Sequence, residues 1–184
     1  MKLNQSIVSQ LEQLATNGPQ HIEAVVQSSP QTGYIVGIPA TGKGAGASLS
    51  LADYDRYSVI LRHLEVYDNS IVVQANTRVD YLRSVAAAIT QRLTYLEEPL
   101  ALIEVDAIEN MAQLRSSPPQ CDGQGSIYWE LVVRVVPHPQ VRLTRYGWTA
   151  AASERTLLPH PITFATLGRV AEDLAVSLAV IVSH

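Results

Sequence analysis

The stretch Thr77 to Glu98, TRVDYLRSVAAAITQRLTYLEE, constrains this chain more than any other. Val79, Leu82, Ala86, Ile89, Leu93 and Leu96 recur at alternating steps of three and four, which places all six on one stripe of an α-helix. Thr77 stands where an N-cap belongs, Asp80 where a capping-box acid belongs, and Pro99 where the helix must stop. A helix that is apolar along one stripe has to bury it against another element. The same spacing returns in Phe164, Leu167, Ala171, Leu174, Leu178 and Ile181, inside a last helix expected from about Ile162 to Val182 with Thr163 as its cap. Residues 2–17 form a shorter amphipathic helix, with Leu3, Ile7, Val8, Leu11, Leu14 and Ala15 on one face and Gly18-Pro19 as the stop.

Between the helices the pattern is that of strands. Residues 22–28 and Gly33 to Ile38 are short candidates. Tyr57 to Val66 reads as a strand, with a turn at Asp68-Asn69 and a return strand through Ile71, Val72 and Val73. Leu100 to Ala107 is another strand, Ile108 to Arg115 a short helix or an extended continuation, and Ser116 to Ser126 a loop. Tyr128 to Val136 alternates, with Trp129, Leu131, Val133 and Val135 on one face and Tyr128, Glu130, Val132 and Arg134 on the other. Its hairpin partner is Val141 to Trp148, across a Pro137-His138-Pro139 turn, and Ala150 to Pro161 connects to the last helix.

This order predicts one α+β domain over residues 1–184: a mostly antiparallel sheet with amphipathic helices packed mainly on one face. The repeated helix stripe raises an internal duplication of a ββα unit, residues 54–98 and 127–182. The other face of such a sheet is left for solvent or a partner.

Composition narrows the function classes. A hydrophobic fraction of 47% against 16% charged residues belongs to a packed domain, not a disordered chain. Net charge −4 provides no global field for nucleic acid or anionic lipid, so nucleic acid ranks last among partners. One cysteine, Cys121, allows no intramolecular disulfide. The opening MKLNQSIVSQLEQL lacks an apolar leader core, and the longest apolar run, Leu174 to Val182, is too short for a membrane span. The expected setting is cytoplasmic, with no membrane association.

Candidate chemistry is sparse. Gly37-Ile38-Pro39-Ala40-Thr41-Gly42-Lys43-Gly44 matches the glycine, glycine, lysine spacing of a phosphate-binding loop. It carries Gly44 where the Mg²⁺-binding hydroxyl belongs, and Ala45-Gly46-Ala47-Ser48 is a poor start for the helix that should hold phosphate. Gly37, Gly42, Lys43 and Gly44 are therefore the cofactor-binding candidates, against a plain hairpin loop. His63 with Glu65, and Asp53 with Asp55, share strand faces without forming a closed metal site. Cys121 has no base beside it in sequence, and no catalytic residue or cofactor is implied. Arg142, Tyr146 and Trp148 share one strand face, with Arg134 on the neighbouring strand, and residues of these types anchor protein interfaces. The bland alternative is that Tyr146 and Trp148 lie under the 150–161 segment. The leading expectation is a non-catalytic interaction or adaptor domain with a protein partner or a second copy of itself. The alternative is a nucleotide- or phosphate-binding enzyme built on loop 37–48.

Overall fold

In the computed structural model, which describes residues 2–29, 31–40, 42, 44–123 and 125–180, the organising stripe is helical but shorter than its periodicity implies. Helix α2 covers Arg78–Arg92, and Leu82, Ala86, Ile89 and Leu93 are buried as their spacing requires. The helix ends at Leu93, and beyond it Glu98 is buried beside the Arg145 guanidinium while Glu97, 49% exposed, pairs with the same group. The expected Thr77 cap is not made, and its hydroxyl donates to the Gln74 carbonyl at 3.2 Å instead. Helix α1 (Leu3–Asn17) ends at Gly18, whose φ of 79° suits glycine. Helix α3 (Phe164–Leu178) opens on Thr163, which accepts the Thr166 N–H at 3.2 Å. Its stripe from Phe164 to Leu178 is buried, while Ile181 lies outside the described residues.

The strands are β1 (Val25–Ser29), β2 (Gly33–Ile38), β3 (Gly46–Tyr54), β4 (Ser58–Tyr67), β5 (Leu100–Asp106), β6 (Met111–Ser116), β7 (Gln120–Asp122), β8 (Gly125–Val135), β9 (Pro139–Thr149), β10 (Thr156–Leu157) and β11 (His160–Thr163). They form one antiparallel sheet in the order β1-β2-β3-β4-β9-β8-β6-β5. Strand β7 pairs with β8, β10 with β9, and β11 with β4. Two meanders thus meet at a seam between β4 and β9. Along β4, Ser58 to Leu61 pair with β11 and His63 to Tyr67 with β9, so the segment after β9 fills the gap where β9 leaves β4.

The α+β expectation holds: among the described residues, three α-helices lie on one face of an antiparallel sheet. Matched rows of apolar residues form the sheet's half of the core, for example Val36, Leu49, Leu64, Leu143, Leu131 and Leu114 in register across six strands. Helix α3 is central. The hydroxyl of Tyr81 on α2 donates to the Leu178 carbonyl at 2.7 Å, and Gly168 lets the backbone of α1 approach at Asn4.

The hairpin expected through Ile71–Val73 does not form, since those residues are not strand and β4 pairs with β3 and β9. The duplication of residues 54–98 and 127–182 is therefore not confirmed. Residues 116–126 contain β7 rather than a loop alone, and 150–161 contributes β10 and the start of β11. Among the described residues, no helix is long and apolar enough to cross a membrane.

Candidate functional site

Strand alternation decides which side chains reach the helix-free face, and register decides which of them meet. His63, Thr144, Glu130 and Arg115 form one row across β4, β9, β8 and β6. Glu65, Arg142, Val132 and Gln113 form the next row, and Tyr67, Gln140, Arg134 and Met111 the third. At the middle of this grid is a groove of about 230 Å³. Val132 and Thr144 sit in its lining, with Glu65, Glu130, Arg134, Arg142, Tyr146 and Arg155 around them.

The groove is built on charge. Glu130 has a side chain only 3% exposed and is held by three donors on one oxygen. Gln113 Nε2 donates to its Oε2 at 2.7 Å, Arg115 Nε at 2.8 Å, and Arg155 Nη1 at 2.5 Å. A carboxylate removed from water is tolerable when cations and donors surround it. Arg155 also stacks its guanidinium 4.0 Å from the centre of the Tyr146 ring, so the connecting segment does lie against Tyr146. Burial lowers the Arg155 pKa, but hydrogen bonds to Glu130 and Tyr128 outweigh it, and the net shift is upward. Arg142 places Nε and Nη2 on Glu65 Oε2, at 3.0 and 2.6 Å. Burial first and Arg142 second push the His63 pKa down, against Glu65, so its imidazole favours the neutral form.

Three of the four expected surface residues, Arg134, Arg142 and Tyr146, therefore converge on one groove. Trp148 lies further along β9, exposed beside a separate shallow groove with Ser126 and Thr149. Sequence reading missed Glu130 and Arg155 as site residues. The alternation of β8 already set Glu130 on the same face as Arg134, but Arg155 belongs to an aperiodic segment, and only the fold brings it over β8.

The described glycines of the candidate loop fall at the end of β2 and in the turn beyond it. Gly37 sits within β2, Gly42 and Gly44 lie in the turn beyond it, and Lys43 is outside the described residues. The segment that follows is β3 rather than the helix of a phosphate-binding loop, while Lys2, Leu3 and Ser6 at the start of α1 border the same groove as Gly44 and Ala45. Asp55 accepts the N–H groups of Tyr57 and Ser58 and the Ser58 hydroxyl, so it closes a turn. Among the described residues, no three His, Cys, Asp or Glu side chains converge as a metal-ligand set.

A second polar cluster lies on the helix side, where β9 parts from β4. Trp129 Nε1 donates to Glu97 Oε2 at 2.8 Å, and His160 Nε2 lies 3.0 Å from Glu97 Oε1. Ser116, itself buried, donates to Glu98 and accepts the Trp129 N–H, which ties β6 to β8 and to the end of the α2 segment. This cluster fastens the 150–163 segment to the end of α2.

No protein-family model, curated protein sequence or solved structure matches the chain, so its functional reading rests on this geometry.

Proposed function

We propose that this chain is a non-catalytic interaction domain that engages an acidic segment of a protein partner through the helix-free face of its sheet. The observation that carries this reading is the convergence of Arg134, Arg142, Arg155 and Tyr146 on one groove of that face. Arg134, Arg142 and Arg155 line the groove against Glu65 and Glu130, three cations to two carboxylates, so the groove itself carries one net positive charge in a chain of net charge −4. Charge complementarity of this kind steers association and selects partners. Arginine and tyrosine are the side chains that anchor interfaces. A polyanion as long as nucleic acid would also meet the acidic remainder of the surface, which a short acidic segment avoids.

Fluorescence anisotropy with an acidic peptide and with a basic one of equal length tests the proposal. The acidic peptide should bind, more weakly as salt rises, and the double variant Arg134→Glu, Arg142→Glu should abolish binding. Equal binding of both peptides, or of neither, would overturn it. The alternative of a nucleotide- or phosphate-binding loop at 37–48 predicts a thermal shift with ATP and Mg²⁺ that no variant of the sheet face removes.

A further inference from the structure

The arginines alone do not account for the groove. Every donor on Glu130 falls on Oε2, and among the described residues its Oε1 receives no hydrogen bond. The hydroxyl of Thr144, a residue 6% exposed, likewise has no partner among them. Glu65 is arranged as Glu130 is: Arg142 places both contacts on Oε2 and leaves Oε1 unengaged. The groove thus presents two unengaged carboxylate oxygens and a hydroxyl, facing the same space as Arg134, which is in no ion pair among the described residues. These atoms are not sealed from water, since the buried side-chain atom without a partner among the described residues is Arg78 Nε; they border the groove, so a ligand seated in it would meet them together.

A simple anion would answer Arg134 and Arg142 but would approach the open oxygens of Glu130 and Glu65. A simple cation would answer those oxygens and meet the guanidinium groups. One small molecule satisfies both sets when it carries an ammonium group beside a carboxylate. We propose that this groove is a binding site for an amino-acid zwitterion. Its ammonium donates to Glu130 Oε1 and the Thr144 hydroxyl, and its carboxylate accepts from Arg134 and Arg142. Val132, the apolar residue of the lining, and the Tyr146 ring give a short aliphatic side chain a place to lie. A volume of about 230 Å³ suits a single amino acid and excludes a folded partner from the groove itself. The inference rests on the helix-free face being the binding face, but it needs no protein partner.

Isothermal titration of the whole chain with free amino acids tests it, with acetate and methylamine as the anion-only and cation-only controls. At least one zwitterion should bind at least about tenfold more tightly than either control. Val132→Trp, which fills the groove from a partly exposed position, should remove that binding while the far-ultraviolet spectrum and melting midpoint stay near wild type. Thr144→Val should weaken it by about tenfold, the scale of one lost hydrogen bond to a charged group. Zwitterion binding no tighter than the controls, or binding that survives Val132→Trp, would overturn the assignment. Acidic-peptide binding that persists without zwitterion binding would overturn this inference alone, whereas loss of both would remove the face itself as a site.

Discussion

Arg145 Nη2 lies 3.1 Å from Glu98 Oε1, and the two side chains are 7% and 8% exposed. A buried ion pair adds little net stability while intact, but removing one member leaves a charge with no water around it. Arg145→Met should cost about 3–5 kcal/mol in urea unfolding. The double variant Arg145→Met, Glu98→Leu should recover a large part of that loss. A single-variant cost below about 1 kcal/mol would mean that water reaches the pair, contrary to its burial.

The α1–α3 contact depends on the absence of a side chain at Gly168. A Cβ there would lie 3.0 Å from the Asn4 carbonyl oxygen and 3.0 Å from Val8 Cγ2. Gly168→Leu should therefore lower stability by about 1–3 kcal/mol, although leucine is the better helix former. Thermal melts of this variant beside a leucine placed at an exposed α3 position separate packing from propensity.

Two half-buried imidazoles set a pH dependence. Burial lowers the pKa of His160, with Arg145 adding to it and Glu97 opposing. Burial and Arg142 lower that of His63. The contribution is present in full above the unfolded value of 6.5. It is lost as pH falls from there through the lowered folded values, because the unfolded chain takes up protons first. Urea midpoints between pH 6.5 and 4.5 should fall with a slope of up to about 1.4 kcal/mol per pH unit for each imidazole. The lower bound avoids Glu97, whose net pKa shift is downward: burial opposes it, but the Trp129 hydrogen bond and neighbouring cations prevail. His160→Gln should reduce the slope, and an unchanged slope would show that this imidazole titrates freely in the fold.

The pair between Arg142 and Glu65 is of another kind. Arg142 is 57% exposed, so water screens the contact and Arg142→Ala should change stability by no more than about 1 kcal/mol. On the proposed reading, the same variant should weaken acidic-peptide binding measurably. A stability loss of several kcal/mol would move Arg142 from the binding surface into the supporting structure.

Helix stripes and alternating strands were legible because periodicity is a local property. Leu82, Ala86 and Ile89 on α2, and Leu167, Ala171 and Leu174 on α3, are buried where their spacing puts them. The end of α2 was not legible, because the apolar spacing continues through Leu96 while Glu98 beyond it pairs with Arg145, a residue distant in sequence. The missing strand at Ile71–Val73 has a similar cause. An apolar triplet is compatible with a strand, but β4 finds its partners in β3 and β9, and His138 Nδ1 lies 3.1 Å from the Ile71 carbonyl. Arg134, Arg142 and Tyr146 could be grouped from alternation alone. That Glu130 anchors them, and that Arg155 crosses to it, depends on register and on a non-repetitive segment.

The seam between β4 and β9 bears on the order in which the chain assembles. Within each meander the neighbouring strands are close in sequence, so their pairing closes short loops. The residues paired across the seam, from His63 with Thr144 to Tyr67 with Gln140, are separated by roughly seventy to eighty positions. Chain entropy must be given up before that contact returns anything, and both Leu64 and Leu143 wait on it for burial. The two halves are thus expected to gather separately, and their union along β4 and β9 sets the pace of folding.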